Sequence, residues 1–152
     1  MSWFMTYIVR SESELIDLVF KKIRKRLRGG FIVALEGPLG AGKTALVRGI
    51  AKKLGVKDGV TSPTFNICKI YPVRKKASNG VGFDKIQHID LYRFENPSIH
   101  DIAEVKDWLG DTKAVSFIEW ADNVKEAQAT AQVKIAIKIL SENQRELDFI
   151  WK

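Results

Sequence analysis

At 152 residues, with 45% hydrophobic and 28% charged side chains, the chain has the make-up of an ordinary globular domain and enough length to bury a core unaided. A single cysteine, Cys68, excludes an intramolecular disulfide, and two histidines without ligand spacing exclude a zinc module. The net charge of +7 and a pI near 9.5 favour encounters with polyanions such as RNA, or with acidic partner proteins, and say nothing about fold.

The opening residues, MSWFMTYIVR, lack a basic leader followed by an apolar run, and FIVAL at 31–35 is too short to span a bilayer. One soluble domain over 1–152 is expected, in a reducing cytoplasm and with no membrane partner. MTYIV reads as a short strand. Ser11-x-x-Glu14 is a capping-box pattern ahead of LIDLVFKKIRKRL, where Leu15, Leu18, Val19, Ile23 and Leu27 share one helical face. Gly29-Gly30 stops this helix. Its other face carries Lys21, Lys22, Arg24, Lys25, Arg26 and Arg28, so the basic helix 21–28 is the candidate surface for RNA or a partner.

FIVALEG is an apolar strand running into a glycine-rich turn and then a helix, KTALVRGIAKKL, capped by Gly55. Residues 56–66 form a loop around Thr61-Ser62-Pro63-Thr64-Phe65. NICKIY is a strand, and 72–85 a basic excursion with the composition of a loop tip. IQHIDLYRF alternates, with Ile89 and Leu91 on one face and His88, Asp90 and Tyr92 on the other. IHDIAEVKDWLG is helical in period, and AVSFIEW is an apolar strand ending in an acid. VKIAIKIL and RELDFIWK, joined by SENQ, form an antiparallel hairpin. This succession predicts an α/β fold with a mixed parallel and antiparallel sheet and a C-terminal β-hairpin.

Gly37-Pro38-Leu39-Gly40-Ala41-Gly42-Lys43-Thr44 is a full G-x-x-x-x-G-K-T in the right setting, after an apolar strand and opening a helix. Its glycines let backbone N–H groups converge on one phosphate, Lys43 reaches the β- and γ-phosphates, and the Thr44 hydroxyl suits Mg²⁺. A second acid belongs at the end of an apolar strand. Glu119 and Asp90 are both candidates, Glu119 in the better context. Asp107-Trp108-Leu109-Gly110 follows a helix and is read as coincidental. With no N-K-x-D guanine motif, ATP is favoured over GTP.

In this order, G-x-L-G-A-G-K-T, S-P-T-F, H-x-D-x-Y-R and E-W resemble the bacterial TsaE (YjeE) family. Its members are small P-loop ATPases of threonylcarbamoyl modification at adenosine 37 in tRNAs that read ANN codons. The resemblance implies a three-layer P-loop NTPase sandwich, ATP and Mg²⁺ as cofactors, and a complex with the proteins TsaB and TsaD that ATP hydrolysis resets. Residues Gly37, Pro38, Leu39, Gly40, Ala41, Gly42, Lys43, Thr44 and Ala45 would cradle the phosphates. Glu119 would join Thr44 at the metal, and Asp90 would position metal or attacking water. Thr61, Ser62 and Thr64 would sense the γ-phosphate, with His88 and Tyr92 supporting Asp90. Ser11 and Arg145 match two further nucleotide-proximal positions of the family. Arg93 is the one motif arginine that could act as a finger in cis, a core ion pair being the alternative. Trp120 is either a core anchor or a partner of Glu119. Pro38 and Ala121 depart from residues common in the family, an acid and a proline, at positions that carry no phosphate chemistry. Two other readings stay open: a small P-loop metabolite kinase, for which Arg74, Lys75 and Lys76 could serve a lid, and a nucleotide-dependent RNA binder.

Overall fold

FIVALE and AVSFIE carry apolar side chains at consecutive positions, as expected of strands covered on both faces, and they become the two central strands of the sheet. The structure is a computed structural model that describes residues 2–57, 59–63, 65–74 and 82–152. Its elements are β1 (Trp3–Val9), α1 (Glu12–Ile23), β2 (Ile32–Glu36), α2 (Lys43–Lys53), β3 (Cys68–Pro72), β4 (Lys85–Asp90), α3 (Ile99–Leu109), β5 (Ala114–Glu119), a 3₁₀ turn (Ala121–Asn123), α4 (Lys125–Thr130), β6 (Val133–Ile139) and β7 (Arg145–Trp151). The strands form one seven-stranded sheet in the order β1-β7-β6-β2-β5-β4-β3. β6, β2, β5 and β4 run parallel, and β7, β1 and β3 join by antiparallel pairing. The expected mixed α/β architecture and final hairpin are both present.

Period-2 alternation divides the core between the two faces. Val33 and Leu35 of β2 and Val115 and Phe117 of β5 pack with α1 and α2 through Leu15, Val19, Leu46 and Ile50. Ile32 and Ala34 of β2 and Ile118 of β5 point the other way, toward Val105 of α3 and Ala127 of α4. This is a three-layer sandwich. Every parallel strand therefore ends at the same edge of the sheet, where loops can gather a site.

Four local expectations need correction. α1 stops at Ile23 rather than near Leu27, and residues 24–26 form a turn closed by Arg26 N–H to Ile23 O. The basic segment 21–28 is thus only in part helical. Its cations also lie over aromatic rings of the same chain: Lys22 over Tyr7, Arg26 over Trp151 and Arg28 over Phe31. Ser11 does cap α1, accepting from Glu14 N–H at 3.0 Å, but Glu14 accepts from Arg10 N–H instead of closing the box on Ser11. The strand begun at Lys85 ends at Asp90, short of the expected IQHIDLYRF, and the Asp90 Oδ1 accepts Tyr92 N–H at 3.0 Å in the turn that follows. Finally, the 3₁₀ turn and α4 occupy 121–130, which carried no predicted element. The excursion 72–85 links β3 and β4 as a hairpin, and its residues 75–81 lie outside the described residues.

Candidate nucleotide-binding site

β2 delivers the chain to Gly37 at the carboxyl edge of the sheet, and the loop returns as α2. Two glycines are required by geometry. Gly37 has φ 151°, and a Cβ there would stand 2.6 Å from the Ile137 carbonyl of β6; Gly42, at φ 107°, is the N-cap of α2 in a left-handed conformation that disfavours side chains. A glycine N-cap brings no side chain to the first-turn N–H groups, which leaves them available to an anion. Lys43 is 5% exposed; its Nζ donates to the carbonyls of Gly37 at 2.6 Å and Pro38 at 3.0 Å and lies 4.7 Å from the centre of the Trp120 ring. Burial pushes its ammonium below the ordinary lysine value, while the nearby charges of Glu119, Asp90 and Asp122 oppose that shift.

Parallel pairing sets Asp90 directly beside Glu119 at the ends of β4 and β5, and both side chains are buried. Glu119 Oε1 accepts two hydrogen bonds, from the Thr44 hydroxyl at 2.8 Å and from His88 Nε2 at 2.7 Å. A carboxylate only accepts, so Nε2 is the donor of the His88–Glu119 pair. The ring is fully buried, and its Nδ1 has no hydrogen-bond partner among the described residues. Among the described residues two non-glycine positions adopt left-handed backbone, and both adjoin these acids. Trp120, at φ 57°, directly follows Glu119, and Ile67, at φ 61°, accepts Asp90 N–H on its carbonyl at 2.8 Å. Such strain persists only where the surroundings enforce it.

These groups border a cavity of about 410 Å³ lined by Leu39, Gly40, Gly42, Lys43, Thr44, Ala45, Ser62, Asp90, Tyr92, Glu119 and Trp120. The hydroxyl of Thr44 and two carboxylates are the hard oxygen donors that Mg²⁺ prefers. Among the described residues no group of three or more His, Cys, Asp or Glu side chains could hold a metal ion alone. That fits a Mg²⁺ bound jointly by one or two protein oxygens, water and a nucleotide's phosphates.

A second cavity, of about 220 Å³, lies across the loop and brings Ser11 and Arg145 together with Gly40, Ala41 and Gly42. Arg145 donates to the carbonyls of Ala41 at 3.2 Å and Gly40 at 3.3 Å, and through Nη1 to Ser141, Glu142 and Gln144. It therefore ties the β6–β7 turn to the phosphate loop. Thr61 is tethered by Lys69 Nζ at 2.6 Å; Thr64 lies outside the described residues. Arg93 is exposed and stands 5.4 Å over the Phe65 ring, outside the lining of the first cavity and in no core ion pair among the described residues. Trp120 packs at the edge of the core and lines the cavity, with Tyr92 edge-on at 5.2 Å. Sequence reasoning missed Asp122, whose charge acts on Lys43, and Asn123, whose amide donates to the Leu91 carbonyl at 2.8 Å. Both sit in the unpredicted turn after Glu-Trp, and no motif marks them.

The family model "Threonylcarbamoyl adenosine biosynthesis protein TsaE" matches residues 9–147. The tRNA threonylcarbamoyladenosine biosynthesis protein TsaE of Bacillus subtilis is 35% identical over 120 residues, covering 79% of this chain and 69% of that one. The TsaE protein of Aquifex aeolicus is 32% identical over 142 residues, covering 92% and 91%. The crystal structure of Bacillus subtilis YdiB superposes with a TM-score of 0.70 at 26% identity, covering 99% of this chain and 87% of that one. A phosphate loop backed by a Thr–Glu–His network, on a sheet of this topology, agrees with those matches: the chain belongs to the TsaE family, whose members take part in threonylcarbamoyladenosine biosynthesis on tRNA.

Proposed function

We propose that this protein is a Mg²⁺-dependent ATPase that acts with TsaB and TsaD in threonylcarbamoylation of adenosine 37, resetting that complex by hydrolysis. The observation that carries the reading is the convergence of Lys43, Thr44, Asp90 and Glu119 on one cavity beside the phosphate loop. Gly40, Gly42 and the first turn of α2 offer backbone N–H groups to the phosphates. Lys43 leaves the Gly37 and Pro38 carbonyls for the β- and γ-phosphates. Thr44 and Glu119, already 2.8 Å apart, hold the metal's side of the site. Mg²⁺ when bound neutralises charge developing on the phosphate oxygens. Asp90 orients the attacking water, with Tyr92 and Trp120 screening the cavity mouth.

Hydrolysis by the isolated chain is slow on this reading, because Arg93 is engaged by Phe65 and an arginine finger is worth about 10³–10⁵ in rate. Partners, or an arginine they carry, would supply the activation. No helix among the described residues is long and apolar enough to cross a membrane. The test is ADP formation from ATP, measured alone, with TsaB and TsaD, and with a metabolite pool. Stimulation by TsaB and TsaD, with inorganic phosphate released in step, supports the proposal; stimulation by metabolites alone, with the phosphoryl group carried to a metabolite, would make the chain a kinase. Absence of ADP formation in every mixture would leave only a nucleotide binder.

A further inference from the structure

β6, β2, β5 and β4 all start at the edge of the sheet opposite the phosphate loop. α1 and α2 run back to that edge side by side, with Ile16 packed on Gly49 and Lys53 over the Phe20 ring. Exposed cations gather where these elements end. Arg24, Lys25, Arg26 and Arg28 follow α1, and Lys57 follows α2. Arg74 follows β3, whose end pairs with the start of β4, and Lys113 directly precedes β5.

Backbone contacts join these stretches into one surface. Gly29 lies against the Thr112 carbonyl, where a Cβ would not fit. Asp84 N–H donates to the Lys113 carbonyl at 3.0 Å, and Val73 N–H donates to the Asp84 carbonyl at 2.8 Å. Lys57 and Arg74 then wall a shared cavity of about 190 Å³. Acids do not balance this charge. Asp84 is exposed here, but Asp17 and Asp111 are already held by Lys53 at 2.7 Å and Lys85 at 2.8 Å. None of Arg24, Lys25, Lys57, Arg74 and Lys113 is in an ion pair among the described residues. Cations in the last turn of a helix ordinarily answer its dipole, which accounts for Lys21, Lys22, Lys52 and Lys53. It does not account for Arg28, Lys57, Arg74 and Lys113, which stand in connections beyond the helices.

We propose that this face binds RNA through its phosphate backbone, at the pole of the molecule opposite the nucleotide cavity. The kind of cation favours phosphate. A guanidinium meets two phosphate oxygens at once, and arginine supplies much of the charge here. Arg26 and Arg28 are held over Trp151 at 4.2 Å and Phe31 at 5.8 Å, so less side-chain freedom is lost on binding. The spread of the charge suits a chain of phosphates better than a single anion. At about 4.8 Å between strands, the ends of β2, β5, β4 and β3 span ~14 Å, and the helix layer adds ~10 Å. A surface of that size meets on the order of four to six phosphates. Contacts of this kind position an RNA without reading its sequence. The inference rests on charge and topology, and hydrolysis at the nucleotide site plays no part in it.

Fluorescence anisotropy with an unmodified ANN-decoding tRNA transcript, without nucleotide and between about 50 and about 200 mM KCl, tests this. The parent should bind with a dissociation constant on the order of 10 µM at the lower salt, and log affinity should fall against log salt with a slope of about −3 to −5. Arg24→Glu, Lys57→Glu and Lys113→Glu, from three separate stretches, should each weaken binding at least about five-fold and flatten the slope by about 1. Lys125→Glu makes the same change in net charge at the start of α4, beyond the carboxyl end of β5. It should stay within about two-fold of the parent. Melting curves report that these exposed substitutions leave the fold intact. Polyglutamate of matched charge, standing for an acidic protein surface, should bind at least about ten-fold more weakly than the tRNA. No binding by the parent at the lower salt, an equal loss with Lys125→Glu, or polyglutamate bound as tightly as tRNA would each overturn the proposal.

Discussion

His88 offers the sharpest internal test of the site, because one of its nitrogens is bonded and the other is not. The ring is fully buried, its Nε2 lies 2.7 Å from Glu119, and its Nδ1 has no partner among the described residues. His88→Leu removes a hydrogen bond to a charged group, which costs about 1.5–3 kcal/mol, and also removes an unsatisfied ring nitrogen that costs about 1–3 kcal/mol. With volume nearly kept, the Leu variant should stay within about 2 kcal/mol of the parent. His88→Ala suffers the same exchange and opens a cavity besides, adding about 2–5 kcal/mol. The Ala variant should therefore melt below the Leu variant by about 4–20 °C, at about 2–4 °C per kcal/mol for a chain of this size. Urea unfolding and thermal scans at neutral pH measure the difference. Both variants should hydrolyse ATP slowly, since Glu119 keeps only Thr44 as a donor to Oε1. A Leu variant as unstable as the Ala variant, or one that hydrolyses at the parental rate, would refute this reasoning.

Asp90→Ala should leave nucleotide affinity within about two-fold while lowering hydrolysis at least about 100-fold, whereas Lys43→Ala should weaken binding itself; calorimetry and phosphate release separate the two. Because burial depresses the Lys43 pKa below the ordinary 10.5, the unfolded chain holds that proton more tightly. The stability of the parent should then rise with pH between the folded pKa and 10.5. Lys43→Met should lack that increment, so the difference between the two in urea unfolding should change across that window and nowhere below it. Arg145→Ala frees the phosphate loop from the β6–β7 turn and should cost about ten-fold in affinity for a non-hydrolysable ATP analogue, or about 1.4 kcal/mol.

The parts of the site that follow one another in the chain were legible from residues alone. Gly37 to Thr44 states its chemistry through spacing, and the apolar run ending at Glu119 marks a covered strand. What could not be read depends on contacts distant in sequence. Leu27 continues the apolar spacing of α1 and is buried, yet the helix ends at Ile23, and Arg26 and Arg28 settle over Trp151 and Phe31. No glycine or proline marks that stop at Ile23. The alternation of IQHIDLYRF ran past Asp90, whereas the strand ends there, with the Asp90 side chain accepting the Tyr92 N–H. The pairing of Asp90 with Glu119 required knowing that β4 and β5 are parallel neighbours, which the 28 intervening residues conceal. Likewise, β1 reads as any short strand, and only the order of the sheet places it at an edge.

Reconstituted threonylcarbamoylation of an ANN-decoding tRNA by TsaB and TsaD tests the central proposal most directly, run with the parent chain, with Asp90→Ala and with no addition. Repeated turnover only with the parent, and no more than about one round with Asp90→Ala, is the predicted result. Equal modification in all three mixtures would contradict it.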